Sequence, residues 1–266
     1  MSNFKLKVLV ADDSPLIHSI FADFAVNSPI PFDLMRANNG RQCAELFAMG
    51  GFNLAFIDVN MPEMSGMEAV AMARHGGNKT FVTLMSGITS VKRLDLARQL
   101  KVYEYLNKPF TAEDVQAILK TYCRITVPTP TLLVDDSATV RRILHKVLDA
   151  SIFNLDATEA GDGATALELC ESGDYTVIFL DCNMPGMNGF GTLERLLERD
   201  PEVKVIMITA ERNEKLREES LARGAFAFLY KPFHGIDVDR ELHRLFKLKM
   251  PMLATAEPTT TLAVAS

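Results

Sequence analysis

Cysteine is scarce and scattered. Four stand in 266 residues, at Cys43, Cys123, Cys170 and Cys182, and none forms a C-x-x-C pair. That spread is not a disulfide framework; it fits reduced thiols in a reducing compartment. No stretch approaches 18 consecutive apolar residues, which argues against a helical membrane span. The start, Met-Ser-Asn-Phe-Lys, runs into a strand-like segment without the apolar stretch of a secretory signal. The cytoplasm is the expected location. No run of five or six like charges occurs, and the formal net charge is −6; neither favours nucleic acid as a partner. The five histidines, at 18, 75, 145, 234 and 243, show no metal-site spacing and read as surface or boundary residues.

What is present is a long repeat. The Asp12-Asp13-Ser14 that follows Leu9-Val10-Ala11 returns as Asp135-Asp136-Ser137 after Leu133-Val134. Asp58-Val59-Asn60-Met61-Pro62 returns as Asp181-Cys182-Asn183-Met184-Pro185, and Asn107-Lys108-Pro109-Phe110 as Tyr230-Lys231-Pro232-Phe233. Each pair is offset by 123 residues, as are Asn39-Gly40 with Asp162-Gly163 and Gly66 with Gly189. Separate motifs in one register mean that a single domain has been duplicated. The period far exceeds that of a solenoid, so each copy is expected to fold as its own domain. The expected division is a first domain over 1–124, a Pro/Thr linker over 125–130, a second domain over 131–248 and a disordered tail over 249–266. Pro128 and Pro130 favour an extended linker.

Within each copy, short apolar runs alternate with helical patterns. In the first, 7–11, 54–57, 81–85 and 103–106 read as strands, with 32–36 a weaker fifth. Helices are expected near 15–27, 40–49, 66–74, 89–100 and 111–123. The second copy repeats the pattern, with helices near 138–149, 163–172, 189–199, 212–223 and 237–248. Strict alternation predicts an α/β fold, a parallel sheet with helices on both faces. Asp12, Asp13, Asp58, Ser86 and Lys108 each follow or close a predicted strand, where open α/β sheets build their ligand sites.

The ordered set D-D, D-x-x-M-P, S/T, K-P, found twice, resembles the receiver domain of bacterial two-component response regulators, the chemotaxis-receiver type. The resemblance covers about 1–124 and 131–248. It implies two flavodoxin-like (βα)5 domains with strand order 2-1-3-4-5. It further implies that Asp58 and Asp181 accept phosphoryl groups from a histidine kinase or histidine phosphotransfer protein. Mg2+ would be held by Asp13, Asp58 and the Asn60 carbonyl, with Asp12 acting through water; in the second copy the set is Asp135, Asp136, Asp181 and Asn183. Physically, two carboxylates about 5 Å apart repel by about 3 kcal/mol at an effective dielectric near 20. Such a cluster needs a countercharge, and a hard divalent ion suits oxygen donors.

A carboxylate can attack phosphorus, and the remaining task is neutralising the phosphoryl oxygens. Lys108 and Ser86, or Lys231 and Thr209, suit that task. The resemblance makes Tyr105 and Phe228 the switch residues and implies a cis bond before Pro109. An aspartate-nucleophile phosphatase would carry a second aspartate where Asn60 and Asn183 stand, so only self-phosphorylation and slow autodephosphorylation are expected, not an enzyme. With so short a segment after 248, no DNA-binding or enzymatic output domain is expected, and signalling by protein contact or a phosphate sink is the expectation. Lys101-Val102, in place of Gly224-Ala225, suggests that the two copies end their fourth helix differently. Arg141, Arg142 and Lys146 suggest a basic donor-facing helix in the second copy only.

Overall fold

The computed structural model describes residues 5–87, 90–185 and 188–251; the expected tail beyond 251 lies outside the described residues. Strand and helix alternate along the chain. The first half runs β1 (Leu6–Ala11), α1 (Pro15–Asn27), β2 (Phe32–Ala37), α2 (Gly40–Met49), β3 (Leu54–Asp58), α3 (Gly66–His75), β4 (Phe81–Ser86), α4 (Val91–Gln99), β5 (Glu104–Asn107) and α5 (Ala112–Thr126). The second runs β6 (Thr129–Val134), α6 (Ala138–Asp149), β7 (Leu155–Ala160), α7 (Gly163–Ser172), β8 (Val177–Asp181), α8 (Gly189–Arg199), β9 (Lys204–Thr209), α9 (Glu214–Ala222), β10 (Ala227–Tyr230) and α10 (Gly235–Leu245). Two compact units part between Tyr122 and Cys123.

Each unit holds a five-stranded sheet, ordered β2-β1-β3-β4-β5 and β7-β6-β8-β9-β10. Every strand pair is parallel, so the order 2-1-3-4-5 occurs twice. The residues explain the layering. In β3 and β8 every side chain is buried, as a strand covered on both faces requires. The edge strands β2 and β7 mix exposed and buried positions, which is why 32–36 read as the weaker strand.

Short polar residues fix the helix starts. Asn39, Ser65, Ser137, Asp162 and Asn188 each accept a backbone N–H from the first turn of the following helix, satisfying donors that have no partner within the helix. Thr111 and Asp114 cap α5 reciprocally.

Two expectations give way. The linker at 125–130 is largely regular structure: Ile125 and Thr126 finish α5, and Thr129 and Pro130 open β6. Pro130 is tolerated because only its carbonyl is used towards the neighbouring strand's approach, accepting the Thr176 N–H at 2.9 Å. Nor do the fourth helices end differently. Lys101 takes φ +51° where Gly224 takes φ +96°, and α4 and α9 stop at equivalent residues. Lysine adopts the left-handed conformation there at a cost of about 1 kcal/mol relative to glycine.

One close approach positions the site. A Cβ on Gly66 would lie 2.0 Å from the Asp58 carbonyl oxygen, and one on Gly189 would lie 2.3 Å from that of Asp181. The start of the third helix of each unit therefore rests against the strand end that carries the key aspartate, and only glycine leaves room. Gly66→Ala is expected to destabilise the first unit by about 1–3 kcal/mol and to shift the Asp58 amide resonance. Urea unfolding and NMR check both effects.

Candidate functional site

The carboxyl ends of the strands bring distant residues together. Asp12 follows β1, Asp58 closes β3 and Lys108 follows β5. Lys108 Nζ donates to Asp12 Oδ2 and to Asp58 Oδ1, both at 2.6 Å. The remaining carboxylate oxygens meet backbone donors: Asp12 Oδ1 accepts the Ser14 N–H and Asp58 Oδ2 the Asn60 N–H, each at 2.9 Å. Lys108 is itself placed by β4, because its N–H donates to the Ser86 carbonyl at 2.8 Å. The peptide bond to Pro109 is cis, as is Lys231–Pro232.

The second unit repeats this arrangement. Lys231 Nζ lies 2.5 Å from Asp135 Oδ2 and 2.7 Å from Asp181 Oδ1. Ser137 N–H donates to Asp135 Oδ1, Asn183 N–H to Asp181 Oδ2, and Lys231 N–H to the Thr209 carbonyl.

All four aspartates of these pairs are buried, Asp12 and Asp135 at 1% exposure. Burial pushes the Asp58 and Asp181 carboxyls above their ordinary range, and the lysine bonds pull only part of that back. Burial also works against the Lys108 and Lys231 ammonium groups. Their carboxylate bonds outweigh it and hold both above the ordinary lysine value. All four values are thus raised, which disfavours the charged carboxylate but favours the charged ammonium; the lysine direction describes the pair, because each ammonium meets two carboxylates at bonding distance. Each cluster is an ionised pair of carboxylates around one cation.

Asp13 and Asp136 stand apart from the clusters. Both are exposed, and among the described residues no three His, Cys, Asp or Glu side chains gather as a metal-binding group. The expected convergence of three carboxylates is therefore reduced to two around a lysine, with the third at the rim. The donor chemistry still fits Mg2+. The donors are hard oxygens, and two carboxylates against one ammonium leave negative charge that the rim aspartate increases.

Ser86 and Thr209 close β4 and β9 and are fully buried. Asn183 Nδ2 makes a long 3.4 Å contact with Thr209 Oγ1. Tyr105 lies inward at 2% exposure, its phenol oxygen buried without a hydrogen-bond partner. Phe228 is buried edge-to-face against Tyr230, centroids 5.1 Å apart.

Several residues near the site escaped the sequence reading. His18 is buried, not a boundary residue, and its Nε2 bonds the Asp12 carbonyl at 2.8 Å. A carbonyl only accepts, so Nε2 carries the proton. The equivalent residue 123 positions on, Arg141, makes the same contact: its guanidinium donates to the Asp135 carbonyl at 2.7 Å and to Glu159 at 2.6 Å. Arg141 therefore belongs to the site's support, and only Arg142 and Lys146 are exposed. The shared register was the signal that could have revealed this pair. Arg93 on α4 donates to Asn60 Oδ1 at 3.2 Å. The boundary reading also fails at His243, packed against Phe153: it is buried and bonded to the Asp239 carbonyl.

A five-stranded parallel sheet with an acid–lysine cluster at its carboxyl edge is the make-up of a receiver domain. Residues 8–120 and 131–243 each match the response regulator receiver domain family, and the chain belongs to that family through both halves. Chemotaxis protein CheY-3 of Vibrio cholerae is 37% identical over 119 residues, 44% of this chain and 90% of that protein. Chemotaxis protein CheY of Pseudomonas aeruginosa is 35% identical over 118 residues, 44% of this chain and 94% of that one. A solved structure of a two-component system response regulator/GGDEF domain protein shares the fold at TM-score 0.61 and 21% identity, covering 91% of this chain and 100% of that one. No helix among the described residues is long and apolar enough to cross a membrane.

Removing the lysine tests the electrostatics. Lys108→Met leaves two buried carboxylates without their cation and is expected to destabilise the first unit by about 3–5 kcal/mol at neutral pH. Without Lys108 the folded-state carboxyl pKa rises further above the unfolded value. The loss is therefore full above that raised pKa and is relieved as pH falls through it. Urea unfolding in metal-free buffer at pH 7 and pH 5 measures the difference.

Proposed function

We propose that Asp58 and Asp181 are phosphoacceptors, that a histidine kinase or histidine phosphotransfer protein is the donor, and that the phosphorylated units signal through protein–protein contacts. The observation that supports this most strongly is the acid–lysine cluster, built twice from the same strand ends. In each, one oxygen of the buried aspartate faces a lysine and the other a backbone N–H.

The chemistry follows from that placement. A carboxylate oxygen of Asp58 attacks phosphorus, the bond from phosphorus to the donor's histidine nitrogen breaks, and an acyl phosphate forms. The imidazole leaves with the electron pair of that bond. Lys108 is free to follow one phosphoryl oxygen while staying near Asp12, and the Ser86 hydroxyl suits another. Lys231 and Thr209 do the same at Asp181.

Mg2+, when bound, neutralises charge on the carboxylates and the phosphoryl oxygens. Asp13, Asp58 and the Asn60 carbonyl would hold it, with Asp12 through water; Asp136, Asp181, Asn183 and Asp135 are the counterparts. Drawing Ser86 towards the phosphoryl group opens space beside Tyr105, whose unpartnered phenol marks it as a group with something to gain from a change of state. No turnover of an external substrate is proposed. Asn60 and Asn183 cannot act as the acid–base that an aspartate-nucleophile phosphatase needs, which leaves slow loss of the protein's own phosphoryl group.

A division of labour, with one unit draining phosphoryl groups while the other signals, draws support from the differences between the copies, Tyr105 against Phe228 above all. Intact-mass analysis with acetyl phosphate and Mg2+ tests the core reading. The wild type is expected to gain two labile phosphoryl groups, Asp58→Asn and Asp181→Asn one each, and the double variant none. Unchanged mass in the wild type would contradict it.

A further inference from the structure

The two clusters are nearly identical, but their rims carry opposite charge. At the first, Arg93 on α4 reaches Asn60, the residue whose N–H holds Asp58. The position 123 residues on is Leu216, on the equivalent turn of α9. The second unit has no cation there.

At the second cluster, Glu211 stands in the loop just after β9. Its N–H donates to Thr209 Oγ1 at 3.1 Å, so its backbone adjoins the buried hydroxyl. Its carboxylate is exposed and accepts from Asn213 Nδ2 at 3.1 Å. The residue thus brings a negative charge to the loop that holds the Thr209 hydroxyl. The amides differ to match. Asn60 turns its oxygen to Arg93, whereas Asn183 turns its nitrogen towards Thr209.

We propose that these rim charges tune the two sites to different affinities for their divalent cation: Arg93 weakens binding beside Asp58, and Glu211 strengthens it beside Asp181. This rests on the receiver reading above, and it concerns metal binding before any phosphoryl transfer. A single charge about 8 Å from a divalent ion changes affinity by roughly fivefold in a water-like dielectric, and salt weakens the effect.

The test is a MgCl2 titration of the full chain at low ionic strength, without phosphodonor, following the backbone amide resonances of Asn60 and Asn183 by NMR. The Asn183 midpoint is expected at a several-fold lower Mg2+ concentration than the Asn60 midpoint. Arg93→Leu lowers the Asn60 midpoint about fivefold, whereas Arg93→Lys, which keeps the charge, leaves it close to wild type. Glu211→Gln raises the Asn183 midpoint. Added NaCl narrows the gap between the two sites. Equal midpoints in the wild type, or a binding first site indifferent to Arg93→Leu, overturn the proposal and leave the receiver reading intact. If neither resonance responds to Mg2+, both fall together. If Arg93→Lys shifts the midpoint as far as Arg93→Leu, the residue acts by shape and the electrostatic proposal fails.

Discussion

A lysine ammonium held between two buried carboxylates is the interaction around which each unit is organised. Neither aspartate could stay ionised at its depth alone. Taking a carboxylate out of water costs several kcal/mol unless a cation and donors replace the water. Here the replacement comes from three strand ends. The first strand supplies Asp12 or Asp135, the third Asp58 or Asp181, and the chain leaving the fifth supplies the lysine. The fourth strand fixes the lysine backbone through the Ser86 or Thr209 carbonyl. A parallel sheet in the order 2-1-3-4-5 sets these ends side by side, so fold and site are two aspects of one requirement.

The same constraint explains features that look unrelated. Gly66 and Gly189 allow a helix start to press on the strand end carrying the aspartate. His18 and Arg141 differ in chemistry yet both bond the carbonyl of the buried acid after the first strand. Duplication kept the cluster, and the residues around it diverged. Rim charge, the hydroxyl and the aromatic beside it are where the copies differ.

Much of this was legible in the sequence. The offset of 123 residues gave the duplication, and short apolar runs alternating with helical patterns gave the elements; α1, α2, α6, α7 and α8 begin and end where the pattern placed them. The pairs of motif residues named the cluster because strand ends converge in a parallel sheet. What stayed hidden depends on where long side chains swing. Spacing does not say that Arg93 crosses to Asn60, that Arg141 folds back onto Asp135, or that Asp13 stays at the rim. The linker was misread for another reason. Proline disfavours a strand interior, but Pro130 sits where the strand is entering the sheet and its missing donor goes unmissed. Lys101 shows the converse: glycine is the cheapest residue for a left-handed turn, not the sole one.

The account's central claim is that each unit presents one buried aspartate, flanked by lysine and competent to carry a phosphoryl group. Beryllofluoride mimics a phosphoryl group on a carboxylate and reports through fluorine NMR with the protein at equilibrium. With Mg2+ present, two sets of bound fluorine signals are expected, one disappearing with Asp58→Asn and the other with Asp181→Asn. A single set that survives both substitutions, or none at all, would contradict the claim.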